Sequence, residues 1–533
     1  MLKWHFSSRK KLKILHKILI LAIAIALLLT GFSDWTPNIV QAANSQTIPV
    51  SLPLSTRGAK IIDAKGKEIL LRGVNWFGME TETHVPHGLW QRDYKEMLAQ
   101  IKSLGYNTIR LPYAVEALRA NTISGVDFSI GANKELEGKT PLEVMDAVIQ
   151  EADKLNLLII LDSHRLNVKR IPELWYGDGY SEGDWIDTWK LLAQRYKNQK
   201  NVIGADLKNE PHGRASWGTN NLLTDWRLAA ERAGNAILSI NPDWLIIVEG
   251  VEKNVPGQKQ THYWWGGNLE GAGRFPVRLS RRHKLVYSPH EYGEGVAKMP
   301  YFQDKSFPRN LPQRWEIGFY YLARRQIAPI WVGEFGGRQV DNKSTEGIWQ
   351  NKFVRFIRDQ KLGFAYWSWN PNSSDTGGIL LDDWQTIDAP KQVLLSQLLP
   401  VKFTPPPVPV ARVSPPPASN PSNSPPSPAI ANRLEVVTDM YSNWNNGFCI
   451  SFKVRNPTNT SVKAWQLGFR MNQASIYNSW NANFQPQSKN KYLVQPADWG
   501  LIIDPQQVRD IGFCAHKLGN DYQPQDVQVK PLK

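Results

Sequence analysis

At 533 residues the chain is too long for one ordinary domain, although some single-domain folds take about 250 residues or more, so two domains are expected. With 42% hydrophobic and 21% charged residues it has the composition of a folded chain with a core, which excludes a disordered or fibrous protein. The formal charge of +15 is spread thinly beyond Lys3, Arg9, Lys10, Lys11, Lys13 and Lys17, and no basic run with interleaved aromatics follows, which argues against nucleic acid as a partner.

In chain order, the basic stretch leads into an apolar run over 18–29 and the small-residue sequence Val40-Gln41-Ala42-Ala43. These are the three parts of an export signal, and the run is short of the roughly 20 residues that span a bilayer. Residues 1–42 are expected to be a signal peptide, with an uncleaved anchor as the alternative; after cleavage no stable membrane association is expected.

From 43 to 402, short apolar runs alternate with amphipathic stretches, the pattern of repeated βα units. A hairpin over 61–69 precedes candidate strands at 70–77, 108–113, 157–164, 202–209, 245–249, 285–292, 329–335 and 364–370. Helical segments such as 92–104, 141–155 and 185–196 begin near Asp, Thr or Ser and carry apolar residues at i, i+3 and i+4. Eight such units predict an α/β domain closed as a (β/α)8 TIM barrel, with the hairpin capping its amino-terminal end.

Residues 403–431 hold Pro405-Pro406-Pro407, Pro415-Pro416-Pro417 and Pro425-Pro426 with almost no apolar residues, so an extended, semi-rigid linker is expected. Residues 432–533 alternate apolar and polar positions between Asn, Gly and Pro, the spacing of a small all-β sandwich. The two cysteines, Cys449 and Cys514, each follow a Gly-Phe pair. In an exported protein an even pair reads as a disulfide, worth about 4 kcal/mol on the loop-entropy account; two free buried thiols are the alternative.

Twenty-two tryptophans, many beside Gly, Asn or another aromatic, exceed what packing requires and suit stacking on flat ligands, sugar rings above all. In a barrel, function collects where strands end at the carboxy-terminal face. Arg110, His164, Asn209, Glu210, His290, Tyr292, Glu334, Trp367 and Asn370 fall at such ends. Any one of them alone is as readily a loop hydrogen-bond partner; together they mark a candidate site. Glu210 and Glu334 meet only if the fold brings their strands to one mouth, and a pair of carboxyls flanking one bond is what glycoside hydrolysis needs. Pro211 is expected to hold Glu210 extended.

Residues 70–381 resemble glycoside hydrolase family 5. The match lies in Leu71-Arg72-Gly73-Val74-Asn75-Trp76, Ile109-Arg110-Leu111-Pro112, Leu161-Asp162-Ser163-His164, Leu207-Lys208-Asn209-Glu210-Pro211-His212, Tyr287-Ser288-Pro289-His290-Glu291-Tyr292, Val332-Gly333-Glu334-Phe335-Gly336 and Trp367-Ser368-Trp369-Asn370. The resemblance implies Glu210 as acid/base and Glu334 as nucleophile, surrounded by Arg110, His164, Asn209, His290, Tyr292 and Trp367, with no metal or cofactor. On that basis Arg110 and Tyr292 are expected to keep Glu334 ionised, lowering its pKa, while the charge on Glu334 raises Glu210. Asn209 is placed for the sugar 2-hydroxyl and Trp367 as the floor beneath the reacting ring. Tyr263-Trp264-Trp265-Gly266-Gly267-Asn268-Leu269 resembles a cleft segment of bacterial endoglucanases, and Trp175 and Trp217 are expected either to extend the stacking path or to pack in the core.

The rear domain resembles family 2 carbohydrate-binding modules through Asn443-Trp444-Asn445-Asn446-Gly447-Phe448, Ala464-Trp465-Gln466-Leu467, Ser479-Trp480-Asn481-Ala482 and Ala497-Asp498-Trp499. The resemblance implies Trp444, Trp480 and Trp499 as a flat row for cellulose and Trp465 as structural. Many members close a disulfide near the domain ends, whereas Cys449 and Cys514 lie inside candidate strands. The expected protein is a secreted, monomeric, retaining endo-β-1,4-glucanase acting on cellulose or a related β-1,4-glucan. The alternatives are a mannanase or xyloglucanase on the same scaffold and a non-catalytic glucan-binding protein.

Overall fold

The computed structural model describes residues 50–404 and 434–532, apart from 445, 446, 481, 489, 497–499 and 506. The expected signal peptide, nearly all of the expected linker, and Trp499 lie outside the described residues.

The front domain opens with the antiparallel pair β1 (Ser55–Arg57) and β2 (Lys60–Ile62). Its central strands are β3 (Arg72–Asn75), β4 (Thr108–Ala114), β5 (Leu158–Arg165), β6 (Val202–Asp206), β7 (Leu245–Glu249), β8 (Leu285–Ser288), β9 (His290–Tyr292), β10 (Trp331–Gly336) and β11 (Gly363–Tyr366). They pair in the order β8-β7-β6-β5-β4-β3-β11-β10-β9. Since β8 and β9 are two halves of one run around Pro289, which has no N–H to give to a ladder, the two edges of this sheet are the same strand. A parallel bridge from Tyr287 to Ile330 completes the closure, and the expected eight-stranded barrel results.

Helices cover the outside. Asp93 caps α1 (Tyr94–Ser103) by accepting from the N–H groups of Lys95 and Glu96. Capping boxes start α2 (Pro141–Lys154) at Thr140/Glu143 and α3 (Glu182–Arg195) at Ser181/Asp184, the latter three residues ahead of the expected start. Further on come α4 (Trp226–Ile240), the short α5 (Leu311–Trp315) and α6 (Tyr321–Arg324), α7 (Thr345–Asp359) and α8 (Ala389–Leu395).

The barrel interior is layered. Leu158, Ile160, Leu245, Ile247, Val286, Trp331 and Ala365 form an apolar lower layer, which Leu54, Ile61 and Ile69 from the hairpin region close off from below. Above it, toward the strand carboxy ends, the same alternation brings Asp162 on β5 and Glu249 on β7 into the barrel.

The rear domain packs the sheet β12 (Glu435–Trp444), β13 (Gly447–Arg455), β18 (Val508–Lys517), β15 (Ala474–Trp480) against the sheet β16 (Ala482–Ser488), β17 (Lys491–Pro496), β14 (Trp465–Arg470), β19 (Gln525–Pro531). Phe452 and Phe513 from the first sheet meet Phe469 from the second, with ring centroids 5.3 and 5.6 Å away, in a core that also holds Phe448, Ile450 and Leu467. Trp465 is buried and donates its indole N–H to the Gly500 carbonyl at 2.9 Å. Cys449 of β13 and Cys514 of β18 stand directly opposite in register and are joined as a disulfide, so a position inside strands is compatible with the bond.

Candidate active site

The charged layer is organised around Arg110 on β4, which is fully buried. Its Nε donates to Asp206 Oδ2 at 2.8 Å, its Nη1 to Asn75 Oδ1 at 3.0 Å and Glu334 Oε1 at 2.5 Å, and its Nη2 to Asn209 Oδ1 at 2.9 Å and Glu249 Oε1 at 3.1 Å. Asp162 Oδ2 lies 3.1 Å from the same Nη2. One guanidinium therefore serves four buried carboxyls from β5, β6, β7 and β10, which is what makes their burial tolerable.

Glu334 also accepts from the Tyr292 hydroxyl at 2.5 Å, through Oε2. Glu210, just beyond β6, has its Oε1 3.1 Å from His290 Nδ1, and the same nitrogen is 3.5 Å from Glu334 Oε2. One oxygen of each glutamate and a nitrogen of His290 lie within 4.8 Å of one another. His164 places Nδ1 2.6 Å from Asp162 Oδ2 and Nε2 3.3 Å from Asn209 Nδ2. With Asp162 as acceptor, Nδ1 carries the proton and Nε2 accepts, which in turn orients the Asn209 amide with its oxygen on Arg110. Trp367, just beyond β11, lies nearly parallel to Phe77 and to His164, with ring centroids 5.2 and 5.4 Å away. The eight positions marked by the family resemblance thus belong to one connected cluster at one mouth of the barrel, while Asn370 is bonded through its side chain to the Phe77 backbone.

Several expectations are corrected. Glu210 is not extended: its φ is +53°, in the left-handed region, because its N–H is drawn 2.7 Å from Glu249 Oε2 on β7. Of the two readings left open for Trp175 and Trp217, core packing holds: both are buried, with their indole N–H groups held by Glu182 Oε2 at 2.6 Å and the Phe275 carbonyl at 2.9 Å. Within the 263–269 segment Trp264 is buried against Tyr301, while Trp265 is 42% exposed and stacks face to face on His212 at 3.7 Å.

The acidities also differ from expectation. Burial pushes the Glu334 carboxyl up, and His290 and Arg110 do not fully offset it, so it stands above the ordinary glutamate range. Burial pushes Glu210 up as well, but the hydrogen bond and charge of His290 outweigh it and Glu210 stands below that range. The reason is a division of charge: Arg110 is shared with Asp162, Asp206 and Glu249, while the His290 proton faces Glu210. Two carboxyls this close titrate as a pair, and His290 decides where the proton rests.

Asp162, Asp206 and Glu249 escaped selection in the sequence. Asp206 and Glu249 end apolar runs that read as ordinary strands, and the available signal was a carboxylate in phase with the barrel-facing positions.

Burial lifts Asp162, Asp206, Glu80 and Glu291 each to about 7. A carboxyl raised in the folded state contributes stability that is complete below its unfolded pKa and is lost as pH rises through the folded value. His87 and His164, both held low by burial, act in the opposite sense below their unfolded pKa of about 6.5. The melting temperature of the barrel is therefore expected to fall from pH 5 to about pH 7 and to level off toward pH 8. Near-UV circular dichroism melts across that range check this, and a rising Tm contradicts it.

With this geometry in hand, comparison with known proteins adds the following. The cellulase (glycosyl hydrolase family 5) family model matches residues 62–373, and the cellulose binding domain model matches 435–531. The chain is 50% identical over 378 residues to an endoglucanase of Paenibacillus polymyxa, covering 70% of this chain and 93% of that one. It is 38% identical over 459 residues to the major extracellular endoglucanase of Xanthomonas campestris pv. campestris, covering 86% and 93%. Among solved structures it is similar to a cellotetraose complex of an endocellulase from Pyrococcus horikoshii, with 44% identity, a TM-score of 0.62, and coverage of 66% of this chain and 99% of that one.

Proposed function

The chain belongs to glycosyl hydrolase family 5 and is an endo-1,4-β-glucanase carrying a cellulose-binding module, and from this we propose that it cleaves cellulose by double displacement, with Glu334 as nucleophile and Glu210 as acid/base. The observation that carries the reading is the approach of the two carboxyls to within 4.8 Å, close to the roughly 5 to 5.5 Å of retaining enzymes and too short to seat a water in direct attack.

In the first step a Glu334 oxygen bonds to the anomeric carbon as the bond to the glycosidic oxygen breaks, and that oxygen takes the proton held between Glu210 and His290. Arg110 and Tyr292 fix the attacking carboxylate from both oxygens, so its orientation is set before the sugar enters. Formation of the ester removes the charge on Glu334, and Glu210 then takes a proton from the water that releases the sugar. The Asn209 amide, oriented by His164 and Arg110, serves the 2-hydroxyl, and Trp367 lies beneath the same ring. Trp265, beside Gly266 and stacked on His212 two residues beyond Glu210, offers an exposed ring face on the side of the proton donor, where the departing sugar lies.

The endoglucanase relatives disfavour a mannan- or xyloglucan-specific enzyme. We read the protein as secreted and monomeric. Its leader-like amino terminus and a relative described as extracellular support secretion; no described helix is long and apolar enough to cross a membrane.

For the rear domain, Trp444 ends β12 opposite Gly447, and Trp480 ends β15 opposite Gly512. Both partner positions alternate with the core-facing Phe448 and Phe513. We assign Trp444, Trp480 and Trp499 to the cellulose-binding surface, which raises local substrate concentration without adding chemistry. Trp480→Ala is expected to cut adsorption to microcrystalline cellulose several-fold, losing roughly 1 kcal/mol or more of stacking, while the fall in viscosity of soluble carboxymethylcellulose proceeds at the wild-type rate. Equal loss of both activities contradicts the division of labour, and an unchanged viscosity under wild-type enzyme contradicts endo cleavage.

A further inference from the structure

Glu249 belongs to none of the positions read from the sequence, yet it touches more of the reacting groups than several of them. It closes β7 with no exposed surface. Its Oε2 accepts the Glu210 N–H at 2.7 Å, and its Oε1 accepts from Arg110 Nη2 at 3.1 Å and lies 3.3 Å from His290 Nε2. The ring of His290 thus lies between two carboxyls, in hydrogen-bond contact with Glu210 through Nδ1 and in charge contact, without a hydrogen bond, with Glu249 on the side of Nε2. A side chain at Gly266, which has φ +68°, would run into Glu249 Oε2 and crowd Glu210 Cα, so the approach of these segments depends on a bare backbone.

We propose that Glu249 is the positioning residue for the proton donor: it holds Glu210 in its left-handed conformation through the main-chain N–H and holds the His290 ring, with its proton, against the Glu210 carboxyl. This deepens the double-displacement reading and rests on it. Glu210 is a non-glycine residue at φ +53° followed by proline, a strained conformation that persists only where the surroundings impose it. The buried carboxylate acceptor on its N–H is what imposes it. The same carboxylate makes His290 a stronger base, and the His290 proton is the one that Glu210 passes to the glycosidic oxygen. The charged groups facing this unit are Arg110 from β4, Asp162 from β5, Asp206 from β6, Lys208 and Glu210 from the segment after β6, His290 from β9 and Glu334 from β10.

Two substitutions separate the two contacts. Glu249→Gln keeps an acceptor for the Glu210 N–H but removes the negative charge beside His290. A cation or acid loses basicity when a neighbouring anion is removed, so the alkaline limb of kcat/KM on cello-oligosaccharides should move down by about one pH unit. The value of kcat at the optimum should fall roughly 10- to 100-fold with KM nearly unchanged. Glu249→Asp keeps the charge but, one methylene shorter, cannot reach both partners; kcat should fall while the alkaline limb stays in place. A Glu249→Gln profile superimposable on wild type overturns the proposal, and if that variant does not fold, wild-type kcat in Glu249→Asp overturns it. Should both Glu249 variants turn over normally while Glu334→Ala is inactive, this inference alone fails; turnover by Glu334→Ala removes the reading beneath it.

Discussion

Glu334→Ala is expected to lower kcat on soluble β-1,4-glucan by roughly 10,000-fold, about 5.5 kcal/mol of barrier, while the chain still folds and still adsorbs to cellulose. The fold should persist because the substitution improves the charge balance of the interior. Arg110 keeps Asp162, Asp206 and Glu249 as partners, and a carboxyl that burial has pushed up is removed. The small cavity left between Arg110 and Tyr292 has the polar lining that holds a water. The loss can then be assigned to chemistry by supplying a foreign nucleophile with an activated aryl cellobioside. In Glu334→Ala, azide entering the vacated space attacks once and gives the α-azide. In Glu210→Ala the glycosyl ester still forms on Glu334, and azide attacks it from the opposite face to give the β-azide. The anomeric configuration, read by NMR, distinguishes the two roles. Turnover of Glu334→Ala above about one hundredth of wild type, or the β-azide from it, contradicts the assignment.

Much of this arrangement was legible in the sequence because the barrel imposes simple patterns. Apolar runs at 157–164 and 245–249 marked the strands, and a threonine just ahead of 141 marked a helix start, where the structure adds a capping box with Glu143. What escaped depends on contacts distant along the chain. The left-handed conformation of Glu210 could not be inferred from the proline that follows it, since the decisive acceptor is Glu249, 39 residues away. The acidity order of Glu210 and Glu334 failed for the same reason: sequence reasoning paired Arg110 with one carboxyl, and the folded barrel presents it with four. Trp175 and Trp217 lie near the expected strand ends, but their N–H groups find Glu182 and a carbonyl, which lets an indole be fully buried at little cost.

Arg110→Met tests the same electrostatics from the side of the cation. The substitution keeps a flexible apolar stem of similar reach but leaves Asp162, Asp206, Glu249 and Glu334 facing one another in a water-poor interior. Removing one partner of a buried ionic group costs about 3 to 5 kcal/mol, and this loss should appear in urea unfolding of the full chain followed by tryptophan fluorescence. It should also depend on pH, with a definite sign. Asp162 and Asp206 stand at about 7 with the guanidinium present, and they rise further without it. At pH 5 they take up protons and the missing cation matters less; at pH 8 wild type holds its carboxylates against Arg110 whereas the variant must either bury bare anions or keep protons against the solution. The destabilisation is therefore expected to be larger at pH 8 than at pH 5, and a loss that is equal at both, or greater at pH 5, contradicts the view that one buried guanidinium holds this cluster together. Activity should disappear at both pH values, because Glu334 loses the donor that fixes Oε1 and Asn209 loses the one that orients its amide.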